Sequence, residues 1–156
     1  MVVKPLGRGG MAEVFLARDP LLDRNVAIKV IYPHLATDPD FGERFRREAK
    51  LVASLRHTHI VQLYDFDVQE NQPYMVMEYL DGGSLKNRLD ALRATGKTIP
   101  LAEIARILDA IASALDYAHA RGAIHRDVKP ANIILTASNE PVLTDFGIAK
   151  IVGAAA

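Results

Sequence analysis

The sequence contains no cysteine, carries no net charge and has no long apolar run. Lack of cysteine excludes disulfides, thiolate zinc sites and cysteine nucleophiles, and it fits a reducing compartment, so the chain reads as cytoplasmic. Any metal must then sit on oxygen or imidazole. With 19 basic and 19 acidic side chains there is no electrostatic reason to expect DNA, RNA or an anionic membrane as partner. The opening "MVVKPLGRGG" lacks the apolar core of a signal peptide, and charge interrupts every apolar stretch well before the roughly 18 residues of a membrane span. At 49% hydrophobic and 24% charged residues, the composition is that of an ordinary soluble globular domain and argues against disorder.

What is present begins with strands and ends with helices. "AEVFLARD" and "NVAIKVIY" are rich in Val, Ile and aromatics and flank the charged turn "PLLDR", which predicts a hairpin. From Thr37 the pattern becomes helical, with Thr37 and Asp38 as caps and Pro39 in the first turn. "HIVQLYDFDV" and "PYMVMEYL" again read as strands, joined by the polar tip "QENQ". Ser84 can cap a helix through "LKNRLDALRA", and a long helix runs from Pro100 to Gly122. Short strands around "ANIIL" and "PVLTD" follow. There is no internal repeat, and only the "GAAA" tail breaks the composition.

Two charges stand where apolar residues are expected. At about 100° per residue, Phe45, Val52 and Leu55 fall within about 40° of Phe41, and Glu48 lies inside that stripe. Lys29 lies inside "VAIKVI", a strand hydrophobic on both sides. Either residue alone could extend its polar end to an edge. Their joint placement favours a pair, because an unpartnered charge in a core is costly.

The segment "LGRGGMAEVF" is glycine-rich. Gly7 and Gly9 let backbone approach a phosphate, and free amides in such a turn bind anions. A dinucleotide fingerprint would lead into a helix, whereas "AEVFLARD" alternates like a strand. No GK[ST] occurs, which removes a Walker loop. A glycine loop joining two strands and a plain turn both remain. "HRDVKPAN" and "TDFG" then supply Asp127, Lys129, Asn132 and Asp145, an inventory suited to phosphoryl transfer. That reaction depends on positioning and on cations beside phosphate oxygens, and an aspartate plus an amide oxygen can hold magnesium.

In their order, "GRGGMAEV", "VAIK", a helix Glu, "MVMEYLDGG", "HRDVKPAN" and "DFG" resemble the protein kinases, and more closely the bacterial, eukaryotic-type Ser/Thr kinases. The resemblance spans almost the whole chain. It implies an α+β fold, with an antiparallel N-lobe sheet and one helix over residues 1–80, the first strand shortened. An incomplete helical C-lobe over residues 81–156 would end in the activation segment. It also implies ATP and Mg2+ as cofactors and a Ser/Thr hydroxyl of a protein as acceptor. Gly7 and Gly9 would cover the phosphates, Lys29 would contact the α and β groups, and Glu48 would hold Lys29. Asp127 would take the hydroxyl proton, Lys129 would steady the γ-phosphate, and Asn132 and Asp145 would hold magnesium.

The same resemblance lines the adenine with Leu6, Val14, Ala27, Met77 and Ile134, and gives its edge to the Glu78 carbonyl and the Leu80 amide. Ser84 falls where the family often has a ribose contact, although a helix cap explains it equally well. Lys129, two residues after Asp127, resembles the Ser/Thr version of the loop. Ala12 stands where a third glycine is frequent, and His57, His59 and His119 read as structural or surface residues.

Nine residues, "IAKIVGAAA", follow Gly147, without Ser or Thr. The resemblance implies a longer activation segment and further helices, so the expectation is a fragment in which Arg126 lacks a phosphorylated partner. In the long helix, Ile104, Ile107, Leu108, Ile111, Ala112 and Leu115 spread over well beyond about 100°. Part of that band should therefore face water, a surface for self-association. Two functions follow: an ATP-dependent Ser/Thr kinase fragment, or a nucleotide-binding or dimerising module without useful catalysis.

Overall fold

The computed structural model describes residues 1–146, which divide into two compact units. Met1–Ser54 and Gln62–Tyr79 lie in the first; Leu55–Val61 and Leu80–Phe146 lie in the second.

The first unit is a five-stranded antiparallel sheet with one helix. Its strands are β1 (Val2–Arg8), β2 (Ala12–Asp19), β3 (Arg24–Ile31), β4 (Leu63–Gln69) and β5 (Gln72–Glu78), in the order β1-β2-β3-β5-β4. The predicted hairpin is β2–β3. Its turn is closed by the Asp19 carboxylate, which accepts the Leu21 and Leu22 amides at 3.2 and 3.3 Å and pairs with Arg24 at 3.3 Å. The "QENQ" tip is a tight turn with Glu70 at φ 49° and Asn71 at φ 63°, the left-handed pair that matches the twist of a hairpin. β1 is longer than the sequence suggests. It pairs with β2 along seven residues, all exposed, so it has no buried face to leave a hydrophobic pattern.

Helix α1 (Phe41–Ala53) starts four residues after Thr37, the position at which the sequence turns helical. Asp38 sets this delay: its side chain accepts the Asp40 amide at 2.9 Å, its carbonyl accepts the Phe41 amide at 3.0 Å, and Arg44 meets its carboxylate at 2.7 Å. Phe41, Phe45 and Ala49 of α1 join Ala12, Ile31, Ala36, Leu63 and Met75 in one buried cluster.

In the second unit, β6 (Gly83–Ser84), β7 (Ile133–Leu135) and β8 (Pro141–Leu143) form a small antiparallel sheet. Helices α2 (Leu85–Ala94) and α3 (Leu101–His119) accompany it. Ser84 caps α2, its hydroxyl accepting the Asn87 amide at 3.1 Å. Glycines in left-handed conformation follow both helices, Gly96 at φ 68° and Gly122 at φ 79°. α3 buries Ile107, Ala110, Ile111, Ala114 and Ala118, while Leu101 and Leu108 are 80% and 63% exposed, so its apolar band does extend to the surface. Of the strand-like run from His59 to Val68, only residues 63–68 enter β4, which extends to Gln69. Ile60 instead bridges Leu143 of β8, within the second unit. Among the described residues no helix is long and apolar enough to cross a membrane.

Candidate functional site

Sheet register organises the first unit's candidates. Val14 pairs with Lys29, which pairs with Met75; Leu16 pairs with Ala27, which pairs with Met77. Because side chains alternate along a strand, Val14, Ala27, Lys29 and Met77 share the sheet face of Ala12, Ile31 and Met75, the residues that pack on α1. Lys29 is 9% exposed and Glu48, on the buried stripe of α1, is 7% exposed. The charges that the sequence singles out are therefore both buried, on elements that contribute to one core. Arg47 also approaches Glu48, at 3.7 Å.

Gly7 lies opposite Val14, and the Gly9 amide closes the glycine turn on the Ala12 carbonyl at 2.9 Å. A Cβ at Gly7 or Gly10 would meet nothing within 4 Å, and one at Gly9 only that carbonyl, at 3.8 Å. The space around the turn is open to a ligand. Ala12, where a third glycine is frequent, turns its methyl into the core and needs no glycine conformation. Leu6 is exposed; Glu78 donates its amide to the Gln62 carbonyl at 2.9 Å and accepts the Gln62 amide on its carboxylate at 3.3 Å.

The second unit holds Leu80, Asp127, Lys129, Asn132, Ile134 and Asp145. Its loop 125–132 is built on His125, which is 1% exposed. His125 Nδ1 accepts the Asp127 amide at 3.2 Å, so the neutral ring carries its proton on Nε2 and donates it to the Thr144 carbonyl at 2.6 Å. Burial holds this imidazole below its ordinary value, against the opposing pull of the Thr144 carbonyl and of the Asp145 and Asp127 charges. Arg126 takes up the bend at φ 70°.

Asp127 lies 2.8 Å from the Lys129 ammonium and accepts the Asn132 amide nitrogen at 3.1 Å. Lys129, more than any other neighbour, holds the Asp127 carboxyl below the usual range. It is ionised at neutral pH, as a proton acceptor must be. The Asn132 amide nitrogen also reaches the Asp127 carbonyl at 2.8 Å, which fixes the orientation of a side chain only 6% exposed and leaves Oδ1 as its acceptor end. Asn132 in turn receives the Thr144 amide at 2.8 Å and the Thr144 hydroxyl at 3.2 Å on its carbonyl. Asp145 follows immediately, in left-handed conformation at φ 67°.

That arrangement suits a hard cation of modest protein ligation: one carboxylate and one amide oxygen, on neighbouring stretches cross-linked by backbone hydrogen bonds. Among the described residues no three His, Asp or Glu side chains cluster as a metal cage. Magnesium, which keeps waters and phosphate oxygens as ligands, does not require one.

Ile134 sits at the centre of β7, and Leu80 is half-buried. The sequence reading missed three residues here. His125 and Thr144 carry no reactive group for the chemistry; their signal is one polar residue after "GAI" and another after "PVL", too slight to weigh alone. Gly82 is the third. A Cβ there would overlap the Leu135 carbonyl, whereas one at Gly83 would meet nothing within 4 Å. The run after Phe146, implied to open an activation segment, lies outside the described residues.

Comparison with known proteins gives consistent matches. The protein kinase domain family matches residues 1–156. The serine/threonine-protein kinase PknB of Mycobacterium leprae is 48% identical over 151 residues, covering 94% of this chain and 24% of that protein. The serine/threonine-protein kinase PrkC of Bacillus subtilis is 43% identical over 148 residues, covering 95% of this chain and 22% of that protein. The crystal structure of the Mycobacterium tuberculosis PknI kinase domain superposes with a TM-score of 0.85 at 37% identity, over 100% of this chain and 65% of that one. The chain thus spans about a quarter of the length of these curated relatives. With the sheet, the helix and the loop architecture all in agreement, the chain belongs to the protein kinase domain family.

Proposed function

We propose that the chain is the nucleotide-binding and phosphoryl-transfer part of an ATP-dependent, cytoplasmic protein Ser/Thr kinase. The observation that carries this reading is the hydrogen-bonded loop in which Asp127 meets Lys129 at 2.8 Å and Asn132 at 3.1 Å, while Thr144, the residue before Asp145, donates its amide to the Asn132 carbonyl. Asp127 orients the acceptor hydroxyl and takes its proton as the hydroxyl oxygen forms a bond to the γ-phosphorus and the bond to the β–γ bridging oxygen breaks. Lys129 exchanges its contact with Asp127 for the γ-phosphate, and Lys29, held by Glu48, binds the α and β groups. Gly7 and Gly9 allow backbone near the phosphates; Leu6, Val14, Ala27, Met77 and Ile134 offer apolar contact to adenine, with the Glu78 carbonyl and Leu80 amide at its edge. Asn132 Oδ1 and Asp145 would hold Mg2+, which neutralises phosphate charge when bound.

A thermal-shift titration with Mg-ATP tests the binding half. Saturation at about 100 times Kd should stabilise the chain by about 2.7 kcal/mol, and Asp145→Asn should abolish the Mg-dependent part. Absence of any shift would remove the reading. A second reading, a nucleotide-binding or dimerising module without transfer, is favoured by the exposed Leu101 and Leu108 on α3. Transfer of labelled phosphate to a Ser/Thr protein by the unmodified chain, and not by Asp127→Asn, decides for the enzyme.

A further inference from the structure

The segment Leu55–Val61, which follows α1 in sequence, is fixed within the second unit by two histidines. His57 Nδ1 accepts the His59 amide at 3.0 Å. A backbone N–H can only donate, so the neutral ring carries its proton on Nε2, 3.1 Å from Ser113 Oγ on α3. The His57 ring also lies 5.2 Å from the ring of Tyr117, whose hydroxyl accepts the Arg56 amide at 2.9 Å. His59 faces the other way. Its Nδ1 is 2.8 Å from the Pro141 carbonyl, an acceptor only, so that nitrogen is the protonated one. Its own carbonyl accepts the Leu143 amide at 2.8 Å, and the Val61 amide returns to the Leu143 carbonyl at 3.0 Å. β8 is thereby held at both ends, and the next two residues are Thr144, bonded to Asn132, and Asp145.

We propose that His57 and His59 are a positioning pair that holds β8, and with it Asp145, in register with the loop 125–132, and that a proton on His57 releases the hold. Both nitrogens of neutral His57 are engaged, so a second proton must enter at Nδ1, where it confronts the His59 N–H 3.0 Å away. Two donors cannot share that line. Either the ring turns, losing Ser113 and Tyr117, or the His59 backbone moves, and that backbone anchors Leu143.

No carboxylate is among the groups described around His57. Its own segment supplies Arg56 and the His59 ring at 5.6 Å; α3 supplies Ser113 and the Tyr117 phenol; Arg121 covers the Tyr117 ring at 3.7 Å; β8 supplies only the neutral Pro141 carbonyl behind His59. Burial, and then the His59 charge, hold His57 below the ordinary histidine value. A folded state that binds this proton less readily than the unfolded chain is fully supported above about pH 6.5 and loses that support as pH falls toward the folded value. The consequence for Asp145 rests on the kinase reading, whereas the brace itself does not.

Amide hydrogen exchange, corrected for intrinsic rates, should be followed at Val61 and Leu143 between pH 7.5 and 5.5. Protection in the unmodified chain should fall by up to about tenfold per pH unit once His57 titrates. His57→Asn sets the decisive comparison, because its Oδ1 takes the place of Nδ1 as acceptor for the His59 amide and cannot be protonated: protection should persist and be flat with pH. His57→Leu, which removes the acceptor, should be poorly protected throughout. In parallel, Mg-ATP affinity should weaken with acid in the unmodified chain and not in His57→Asn. The same pH dependence in His57→Asn as in the unmodified chain would overturn the proposal, as would titration of the His57 ring without change at Val61 and Leu143. Failure of Mg-ATP to bind any form at pH 7.5 would overturn the kinase reading instead, with the exchange data still deciding the brace.

Discussion

The two units hold their candidate functional charges by opposite means. In the first, Lys29 and Glu48 are 9% and 7% exposed and sit on regular elements, a strand and a helix whose register and periodicity turn them into the core. In the second, the Asp127 and Lys129 side chains are 33% and 50% exposed and sit on a loop, fixed by the hydrogen bond that Asp127 donates to His125 and the one it accepts from Asn132. Burial positions a charge at the expense of stability if its partner is lost. A hydrogen-bonded loop positions one at little cost, because water still reaches it. Substitutions should therefore separate activity from stability in the second unit and not in the first.

The largest effect expected is at Asp127. Asp127→Asn should lower phosphoryl transfer about 10³-fold while leaving the melting temperature nearly unchanged, since the acceptor geometry toward Asn132 survives. Steady-state transfer and calorimetry on the same sample check this; a large fall in melting temperature would break the contrast between the units. Next come Lys29→Met and Glu48→Gln. Each should destabilise the chain by about 3 kcal/mol and the double variant by clearly less than their sum, as measured by urea unfolding. Additive losses would mean that the two residues do not act as a pair.

Gly82 probes how the loop's unit is assembled. β6 pairs Gly83 with Leu135 and Ser84 with Ile134, so backbone at residue 82 must pass against the Leu135 carbonyl. Gly82→Ala should cost about 2 kcal/mol through overlap that neither strand can relieve, and Gly83→Ala, pointing into open space, much less. Nucleotide affinity should fall with the first substitution only, because Leu80 and Ile134 lie on the two stretches forced apart.

These differences also explain what could be read in advance. Strands β2, β3 and β5 and the helices α2 and α3 follow from periodicity and from caps at Ser84 and Pro100, signals contained in a few consecutive residues. Lys29 and Glu48 were legible as violations of that periodicity. Asp127, Lys129, Asn132 and Asp145 were legible as a set of residue types, but their geometry was not: it depends on the Thr144 amide reaching Asn132, twelve residues away in sequence, and on left-handed backbone at Arg126 and Asp145. β1 has no buried face, and β6 has only two residues, so neither leaves a pattern. His57 and His59 read as ordinary histidines because their partners, Ser113, Tyr117 and Pro141, lie 56 or more residues further on.

The smallest effect expected is at Ser84, where local structure and ligand recognition make different predictions. The hydroxyl accepts the Asn87 amide at 3.1 Å and so satisfies one of the otherwise unpaired donors at the start of α2. As a cap alone, Ser84→Ala should cost about 1 kcal/mol of stability and leave Mg-ATP affinity unchanged, and Ser84→Asp, an equally good cap, should restore the stability. As a ribose contact, Ser84→Ala should weaken nucleotide binding. The hydroxyl is already engaged with Asn87, so the cap is the favoured outcome. Unfolding and nucleotide titration of the two variants, side by side, would then place Ser84 with the hydrogen bonds that hold the second unit together rather than with those that meet the nucleotide.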